Sequence, residues 1–419
     1  MSQIVFLTLY LGLVSGIQPI ALKADAEVKA IRVVVDGKTI ATMTAPPWRA
    51  DVDFGAALLP HEVVAVGLDA NGREIARATQ FANVPRPFAE TEIVVDRNAE
   101  GRPLRARLVV RHIARYPPIA VTLKLDDAPL SVGKGLDAVI PPVDMKKPHL
   151  LSAQLRFADG TVARRELVFG GQFADSAEAQ LTPVAVVRTG DAEPHGDCFV
   201  AGAAALHART IEDPGAEIVV VRDPDTSDIR DAYKTAGAVY LDRGTLAQMF
   251  SPVPNAVRGG DEETQLFPTS TVLDVGTYDL LPLLFRMSDA GAEDRPRQFA
   301  DAVAVAGVQA AARGRRRAVI LLLGRRDDAS DYAPAVVRRY LAALGVPLLV
   351  WAPAGVNAEE ARASWGEVED VSSRQKLMNA VTHLRQLLRQ QRIAWIEADP
   401  VAALRAEVKD GCGYARVIK

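Results

Sequence analysis

The chain is 419 residues long, about half apolar and poor in aromatics, with a formal net charge of -3 at neutral pH. A chain of this length divides into roughly two to four domains with sizeable cores. Near neutrality, with only short basic clusters such as Arg315-Arg316-Arg317, excludes a nucleic-acid-binding face. That cluster, just ahead of an apolar run, is expected as a solvated turn.

Residues 4–14 are apolar and as long as a signal h-region, but no basic stretch precedes them and no small-x-small site follows. A first β-strand turning at Ser15-Gly16 is the favoured reading, with the leader as the alternative. No later segment is long enough to span a bilayer, so an integral membrane protein is not expected. Further short strands are expected at Ile17–Ala24, Lys29–Val35, Thr39–Thr44, His61–Leu68 and Glu74–Phe81. Asp36-Gly37 and Asn71-Gly72 supply two-residue hairpin turns between them. Evenly spaced strands with turn dipeptides argue for a β-sandwich over residues 1–87, closed by the stiff stretch Asn83-Val84-Pro85-Arg86-Pro87.

The pattern repeats over residues 88–178. Glu92–Val95, Leu104–Ile113, Ile119–Leu125, Leu150–Phe157 and Thr161–Phe169 read as strands. Arg105, Arg107, Lys124 and Arg156 alternate with apolar residues, as on half-buried antiparallel strands. Gly133-Lys134-Gly135 is a turn here, because no helix follows it.

The character changes over residues 179–419. After lead-in strands at Val184–Val187 and Phe199–Ala205, β-branched and aliphatic runs at Ala216–Val221 and Ala318–Leu323 read as strands buried on both faces. A weaker strand is expected at Leu246–Phe250, with others at Val346–Trp351 and Ile393–Ile396. Helices are expected at Phe299–Arg313, at Tyr332–Ala343 with Ser330 or Asp331 as N-cap and Gly345 as its stop, and at Arg374–Gln391. Leu377, Val381, Leu384 and Leu388 form the apolar stripe of the last helix. Strand–helix alternation of this kind predicts a doubly wound parallel sheet. In such sheets ligands bind beyond the carboxyl ends of the strands. Chemistry is therefore expected after Val221, where acids and a hydroxyl stand, and after Leu323, where glycine and arginines stand.

Several constellations point away from catalysis. There is no His-Glu-x-x-His, Gly-x-Ser-x-Gly, phosphate loop or dinucleotide glycine fingerprint. Cys198 and Cys412 form no Cys-x-x-Cys pair, which excludes a zinc cluster and favours two unrelated thiols over a disulfide. His195 and Cys198 are spaced for a Cys–His pair only if a third group orients them. Trp351, Trp365 and Trp395 read as plugs around the sheet, and Asp261-Glu262-Glu263 as a solvated loop.

The α/β part resembles the von Willebrand factor A-like family, in particular the divergent bacterial proteins that carry sandwich modules ahead of the A domain. Glu217–Ser227, Phe299-Ala300-Asp301-Ala302-Val303, Arg317–Gly324 and Leu341–Pro353 carry the likeness. Residues 16–84 resemble a bacterial Ig-like domain, through Val33–Lys38, Ala45-Pro46-Pro47-Trp48 and Pro60-His61. The resemblance implies two all-β Ig-like sandwiches followed by a Rossmann-like, von Willebrand A-type domain. It also implies a metal-ion-dependent adhesion site built from Asp-x-Ser-x-Ser, a later Thr and an Asp after the fourth strand, which would hold a hard divalent cation.

This chain fits that pattern in part. Asp223 matches the first Asp, Asp225 stands at the first Ser, and Ser227 matches the second. Thr277 is the nearest upstream Thr, and the final Asp is replaced by Gly324 beside Arg325 and Arg326. With Arg222, Arg297 and Arg325 on the same rim, arginine can neutralise the carboxylates without a metal. The expectation is a ligand-binding rim of Asp223, Asp225, Ser227, Thr277, Arg297 and Arg325. No cofactor is expected, and the function is a non-catalytic, adhesion-type interaction with a protein partner at the cell envelope: periplasmic, secreted or surface-exposed. The first alternative is a module binding Mg²⁺, Ca²⁺ or Mn²⁺ through Asp223, Asp225 and Ser227. The second is an enzyme using His195 and Cys198.

Overall fold

The structure is a computed structural model describing residues 4–8, 10, 12–86, 89–98, 102–112, 116–158, 162–171, 181–190, 198–223, 237–259, 262–285, 295–324 and 327–417. The chain divides into two compact units. One is Met1–Arg86 with Gln180–Asn255 and Leu266–Lys419; the other is Pro87–Ala179 with Ala256–Gln265.

Among the described residues the first sandwich has seven strands: β1 (Ile4–Phe6), β2 (Ile17–Ala24), β3 (Ala30–Val35), β4 (Lys38–Met43), β5 (Arg49–Asp53), β6 (His61–Leu68) and β7 (Glu74–Ala82). They form an antiparallel sheet β1-β2-β5 and an antiparallel sheet β4-β3-β6-β7. Ile4, Phe6, Ile20, Leu22, Ile31, Val33, Val52 and Val63 meet between them. Ile4–Phe6 is thus a packed strand. β5 was not expected: its Arg-Ala-Asp-Val-Asp places one fully buried residue, Val52, among polar ones.

The second sandwich repeats this plan. Its strands are β8 (Ala89–Arg97), β9 (Pro103–His112), β10 (Pro118–Leu125), β11 (Ala128–Leu130), β12 (Asp137–Val139), β13 (His149–Phe157) and β14 (Val162–Phe169). The sheets are β12-β9-β8 and β11-β10-β13-β14, all antiparallel. Adding seven to each label of the first sandwich reproduces the second. The two also share a brace. In each, an Asp opens a two-residue turn with both turn residues at positive φ, Asp36-Gly37 and Asp126-Asp127. That Asp reaches the first residues of the neighbouring strand. Asp36 accepts from the Glu62 amide at 3.0 Å and pairs with His61 Nδ1 at 2.7 Å. Asp126 accepts from the Leu150 amide at 2.8 Å and pairs with His149 Nδ1 at 2.7 Å. Pro60-His61 and Pro148-His149 stand at the same place in the two sandwiches.

The remaining chain runs β15 (Leu181–Arg188), β16 (Phe199–Ala201), β17 (Ala204–Leu206), β18 (Ala208–Glu212), β19 (Ala216–Arg222), β20 (Leu246–Phe250), β21 (Asn255–Gly259), β22 (Glu262–Leu266) and β23 (Leu273–Asp274). It continues with α1 (Leu280–Phe285), α2 (Phe299–Ala312), β24 (Arg316–Leu322), α3 (Pro334–Ala343), β25 (Leu348–Ala352), α4 (Ala358–Trp365) and β26 (Glu369–Asp370). It closes with α5 (Arg374–Gln390), β27 (Gln391–Glu397), α6 (Pro400–Leu404), β28 (Glu407–Val408) and β29 (Tyr414–Arg416). The main sheet is β23-β20-β19-β24-β25-β26, parallel except for β23. β19 is buried at every position, as a central parallel strand must be. On one face α5 lays Leu377, Val381, Leu384 and Leu388 against Ile218, Ile320 and Trp351; each such aliphatic side chain contributes about 1.5–3 kcal/mol on full burial. Ser373 caps this helix by accepting from the Lys376 amide.

Five expectations change here, the first at Asp261-Glu262-Glu263, where strand β22 begins at Glu262 in place of a solvated loop. Ile393–Ile396 belongs not to the parallel sheet but to an antiparallel one, β18-β27-β15-β29. Phe199–Ala205 is a hairpin turning at Gly202, whose φ is +57. Cys198 and Cys412 form a disulfide, packed with Phe199 and Ala403; a pairing across 214 residues leaves no local sequence signal. Arg317 is fully buried rather than solvated. Its Nη1 donates to Ala311 O at 2.7 Å and its Nε to Gly345 O at 3.3 Å. Arg416 donates to Ala343 O and Leu404 O, both at 3.2 Å. Burial pulls Arg317 down to about 9 and Arg416 to about 10, so both remain cations at neutral pH. They sit on the carbonyl ends of α2, α3 and α6, where the helix dipole favours positive charge.

The second sandwich's brace is pH-dependent. The hydrogen bond to Asp126 raises His149 above its ordinary 6.5, and the same bond holds Asp126 below its ordinary 3.8. A raised histidine stabilises fully below its unfolded pKa and loses that contribution as pH rises through the folded value. A lowered aspartate does the reverse, losing its contribution as pH falls through the folded value. Stability of this unit is therefore greatest between the two, and Asp126→Asn flattens the profile. Thermal melts of the full chain from acid to mildly alkaline pH check this; an unchanged profile in the variant contradicts it. Separately, Cys412→Ser removes a cross-link worth at most about 5 kcal/mol on chain entropy. The urea midpoint of the disulfide-bearing unit falls, while that of the second sandwich does not.

Candidate functional site

β19 delivers Asp223 to the carboxyl edge of the sheet, one residue beyond the strand. Its side chain is fully buried, and Arg297, 1% exposed, lies beside it with Nε donating to Oδ1 at 3.0 Å. β24 ends next to β19, in register from Ala216–Arg316 to Arg222–Leu322, and brings Gly324 against the same carboxylate. A Cβ built on Gly324 would lie 1.9 Å from Asp223 Oδ2 and 2.4 Å from its Cβ. The Asp223 side chain thus occupies the space that any larger residue at 324 would fill.

The surrounding loops are laced together by backbone amides and carboxylates. Gln298 N donates to Pro252 O beyond β20, and Ala329 N to Arg297 O. The N-terminus of α2 has no cap from its own N-cap residue, Gln298. Asp328 supplies one from the loop after β24, accepting from the amides of Phe299 at 2.9 Å and Ala300 at 3.2 Å. Ser330 Oγ accepts from the Asp301 amide. In return Asp301, in the first turn, accepts from the amides of Asp331 and Tyr332. Burial raises Asp301 despite those two bonds. Carboxylates here complement the positive end of the helix. Ser330 therefore caps α2, not α3, which begins with Pro334 after an extended Ala333.

Two of the six expected rim residues, Asp223 and Arg297, are brought together. Thr277 is not with them. β23 runs antiparallel to β20, pairing Asp274 with Leu246 at the amino end of that strand. Thr277 follows at that opposite edge, its Oγ1 donating to Asp274 Oδ2 at 3.2 Å. Asp225, Ser227 and Arg325 lie outside the described residues. Arg222 is buried behind the rim, with Nε on Met249 Sδ and Nη1 donating to Leu284 O. Asp301, Asp328 and Ser330 were missed as rim residues. The signal for them was a short acid-and-serine run following a buried strand, Asp327-Asp328-Ala329-Ser330.

Of the three candidate cation ligands, only Asp223 lies among the described residues. The first candidate ligand, Asp223, is engaged by a guanidinium, and the position after the fourth strand carries no oxygen donor and no room for one. Among the described residues no three His, Cys, Asp or Glu side chains converge as metal ligands. Cys198 is bound in the disulfide and has no thiolate to act as nucleophile, which removes the Cys–His reading; His195 lies outside the described residues. No helix among the described residues is long and apolar enough to cross a membrane.

No family model matches the sequence, and no curated protein matches it. Among solved structures, the chain is similar to the fibronectin(III)-like modules of Clostridium thermocellum CbhA, at 12% identity over 42% of this chain and 100% of that one, with a TM-score of 0.17. It is similar to the central fibronectin-III array of RIM-binding protein, at 11% identity over 48% and 77%, TM-score 0.24. It is also similar to a 1.5-MDa bacterial ice-binding adhesin, at 11% identity over 62% and 81%, TM-score 0.16. Likenesses this low carry no argument about activity.

Removing one partner of a buried ion pair leaves the other charged and dry, at a cost of about 3–5 kcal/mol. Arg297→Ala and Asp223→Ala each destabilise their unit by this order, and Asp223→Ala/Arg297→Ala by clearly less than the two single variants summed. Gly324→Ala is also destabilising, because its Cβ collides with Asp223. Urea unfolding of the four variants checks this; simple additivity would show that the pair is not coupled.

Proposed function

We infer that this chain is a non-catalytic binding protein: two Ig-like sandwiches, residues 1–87 and 88–178, ahead of a von Willebrand A-type domain, residues 179–419. In that domain the metal-ion-dependent adhesion site is degenerate and an arginine replaces the cation. One observation carries the reading: the buried Asp223–Arg297 pair, with Gly324 pressed on the same carboxylate where a metal ligand would stand. A parallel sheet with Asp223 at the carboxyl edge of its buried strand supports the domain type. With the ion pair satisfied internally, recognition falls to the loops around it, and the partner is a protein that meets the rim through shape and hydrogen bonding rather than through a shared cation. The Cys198–Cys412 disulfide supports an oxidising compartment, in keeping with a periplasmic, secreted or surface site.

A ligand that binds only the folded state raises its melting temperature. Titrating Mg²⁺, Ca²⁺ or Mn²⁺ into the full chain leaves Tm unchanged on this reading. A rise of several degrees that Asp223→Asn abolishes would establish the metal-dependent alternative.

A further inference from the structure

The outer face of the β1-β2-β5 sheet is apolar where an antiparallel sandwich normally turns polar side chains to water. Ile4 and Phe6 on β1, Ile20 and Leu22 on β2 and Val52 on β5 are buried and point into the core. The residues alternating with them point out. They are Val5 and Leu7, then Ile17, Pro19, Ala21 and Lys23, then Arg49, Asp51 and Asp53. Val5, Leu7 and Ile17 are 43%, 62% and 69% exposed in the whole chain. Large apolar side chains gathered on one exposed face mark an interaction surface.

Register sets these residues in rows across the strands. Val5 stands opposite Lys23. Leu7, whose amide donates to Ala21 O, stands beside Ala21, and Ala21 pairs with Arg49. Pro19 pairs with Asp51 and Ile17 with Asp53. The charges of the face are therefore sorted along the strands, with Lys23 and Arg49 toward one end and Asp51 and Asp53 toward the other. All four are exposed, and Lys23, Arg49 and Asp51 enter no ion pair among the described residues. Asp53 Oδ1 accepts from the Gly55 amide. Asp25 and Glu27 follow in the turn beyond β2, and the bordering residues outside the described ones, 1–3, 9 and 11, carry no charged side chain.

Two cations against two anions leave the face neutral but dipolar, and the surface that complements it is the same face inverted. A two-fold axis in the plane of the face and across the strands supplies that inversion. It sets Arg49 of each copy against Asp51 of the other, and the row of Lys23 against the row of Ile17 and Asp53. Leu7, Ala21, Pro19 and Ile17 pack between the two sheets, which stack about 10 Å apart in such contacts. A two-fold axis along the strands would instead stack Lys23 on Lys23. We propose that the outer face of the β1-β2-β5 sheet is a homodimer interface, closed by a second copy of this chain with its strands reversed and by Arg49–Asp51 pairs in both directions. The interface uses none of the rim residues, so it stands or falls separately from the reading of the rim.

The test is sedimentation velocity of the full-length chain over a wide range of concentration. The expected result is a monomer–dimer equilibrium whose dissociation constant rises about tenfold or more in Arg49→Glu and in Asp51→Arg, because each variant opposes like charges twice. An equimolar mixture of the two variants restores the dimer, since every pair across the axis then joins opposite charges; that recovery also shows that both variants fold. A chain that stays monomeric, a dimer indifferent to either charge variant, or a mixture no more dimeric than its components each overturns the proposal.

Discussion

The buried contact between Asp223 and Arg297 holds the carboxyl edge of the α/β sheet together. Neither group tolerates a dry interior alone, so each requires the other. Through them the end of β19, the start of α2 and the loop after β20 are tied to one point. Gly324 completes the arrangement by lacking a side chain. The network of Asp301, Asp328 and Ser330 then closes the loop after β24 onto the first turn of α2.

The same rule governs the opposite edge with the charges reversed. Helix N-termini at the rim gather carboxylates; helix C-termini below gather Arg317 and Arg416 on the carbonyls of Ala311, Ala343, Gly345 and Leu404. Two guanidinium groups are kept in the interior by oriented backbone dipoles rather than by carboxylates. The first sandwich is fastened to this body by Tyr340, whose hydroxyl donates to Asn83 O, and by Arg405, which reaches Asp36 and Pro60 O. The Asp36–His61 brace thus also receives a side chain from the α/β part, whereas its counterpart Asp126–His149 takes its third contact from within its own sandwich, His149 Nε2 on Asp144 O.

Much of the fold was legible because burial on both faces leaves an unmistakable trace: Ala216–Val221 and Ala318–Leu323 could be little else than central parallel strands. Paired turn residues such as Asp36-Gly37 marked hairpins for an equally local reason, the need for positive φ. The failures share a cause as well. Arg317 looks like any surface arginine until its neighbours are known, since helix C-termini far along the chain are what make it tolerable. Thr277 was misplaced because nothing in the sequence announces that β23 returns antiparallel. Asp223 and Arg297 were both singled out, yet their pairing rests on a fold that brings positions 74 residues apart into contact. Pro60-His61 and Pro148-His149 recur in the two sandwiches, and only the shared Asp–His geometry makes so short a match visible.

Whether an arginine has displaced a cation is decided most directly by a crystal structure of the protein soaked in Mn²⁺, read by anomalous scattering. The account predicts no manganese peak at coordination distance from Asp223, about 2.2 Å for a hard divalent ion, with Arg297 Nε still on Oδ1. A peak on Asp223 with Arg297 swung aside would contradict it.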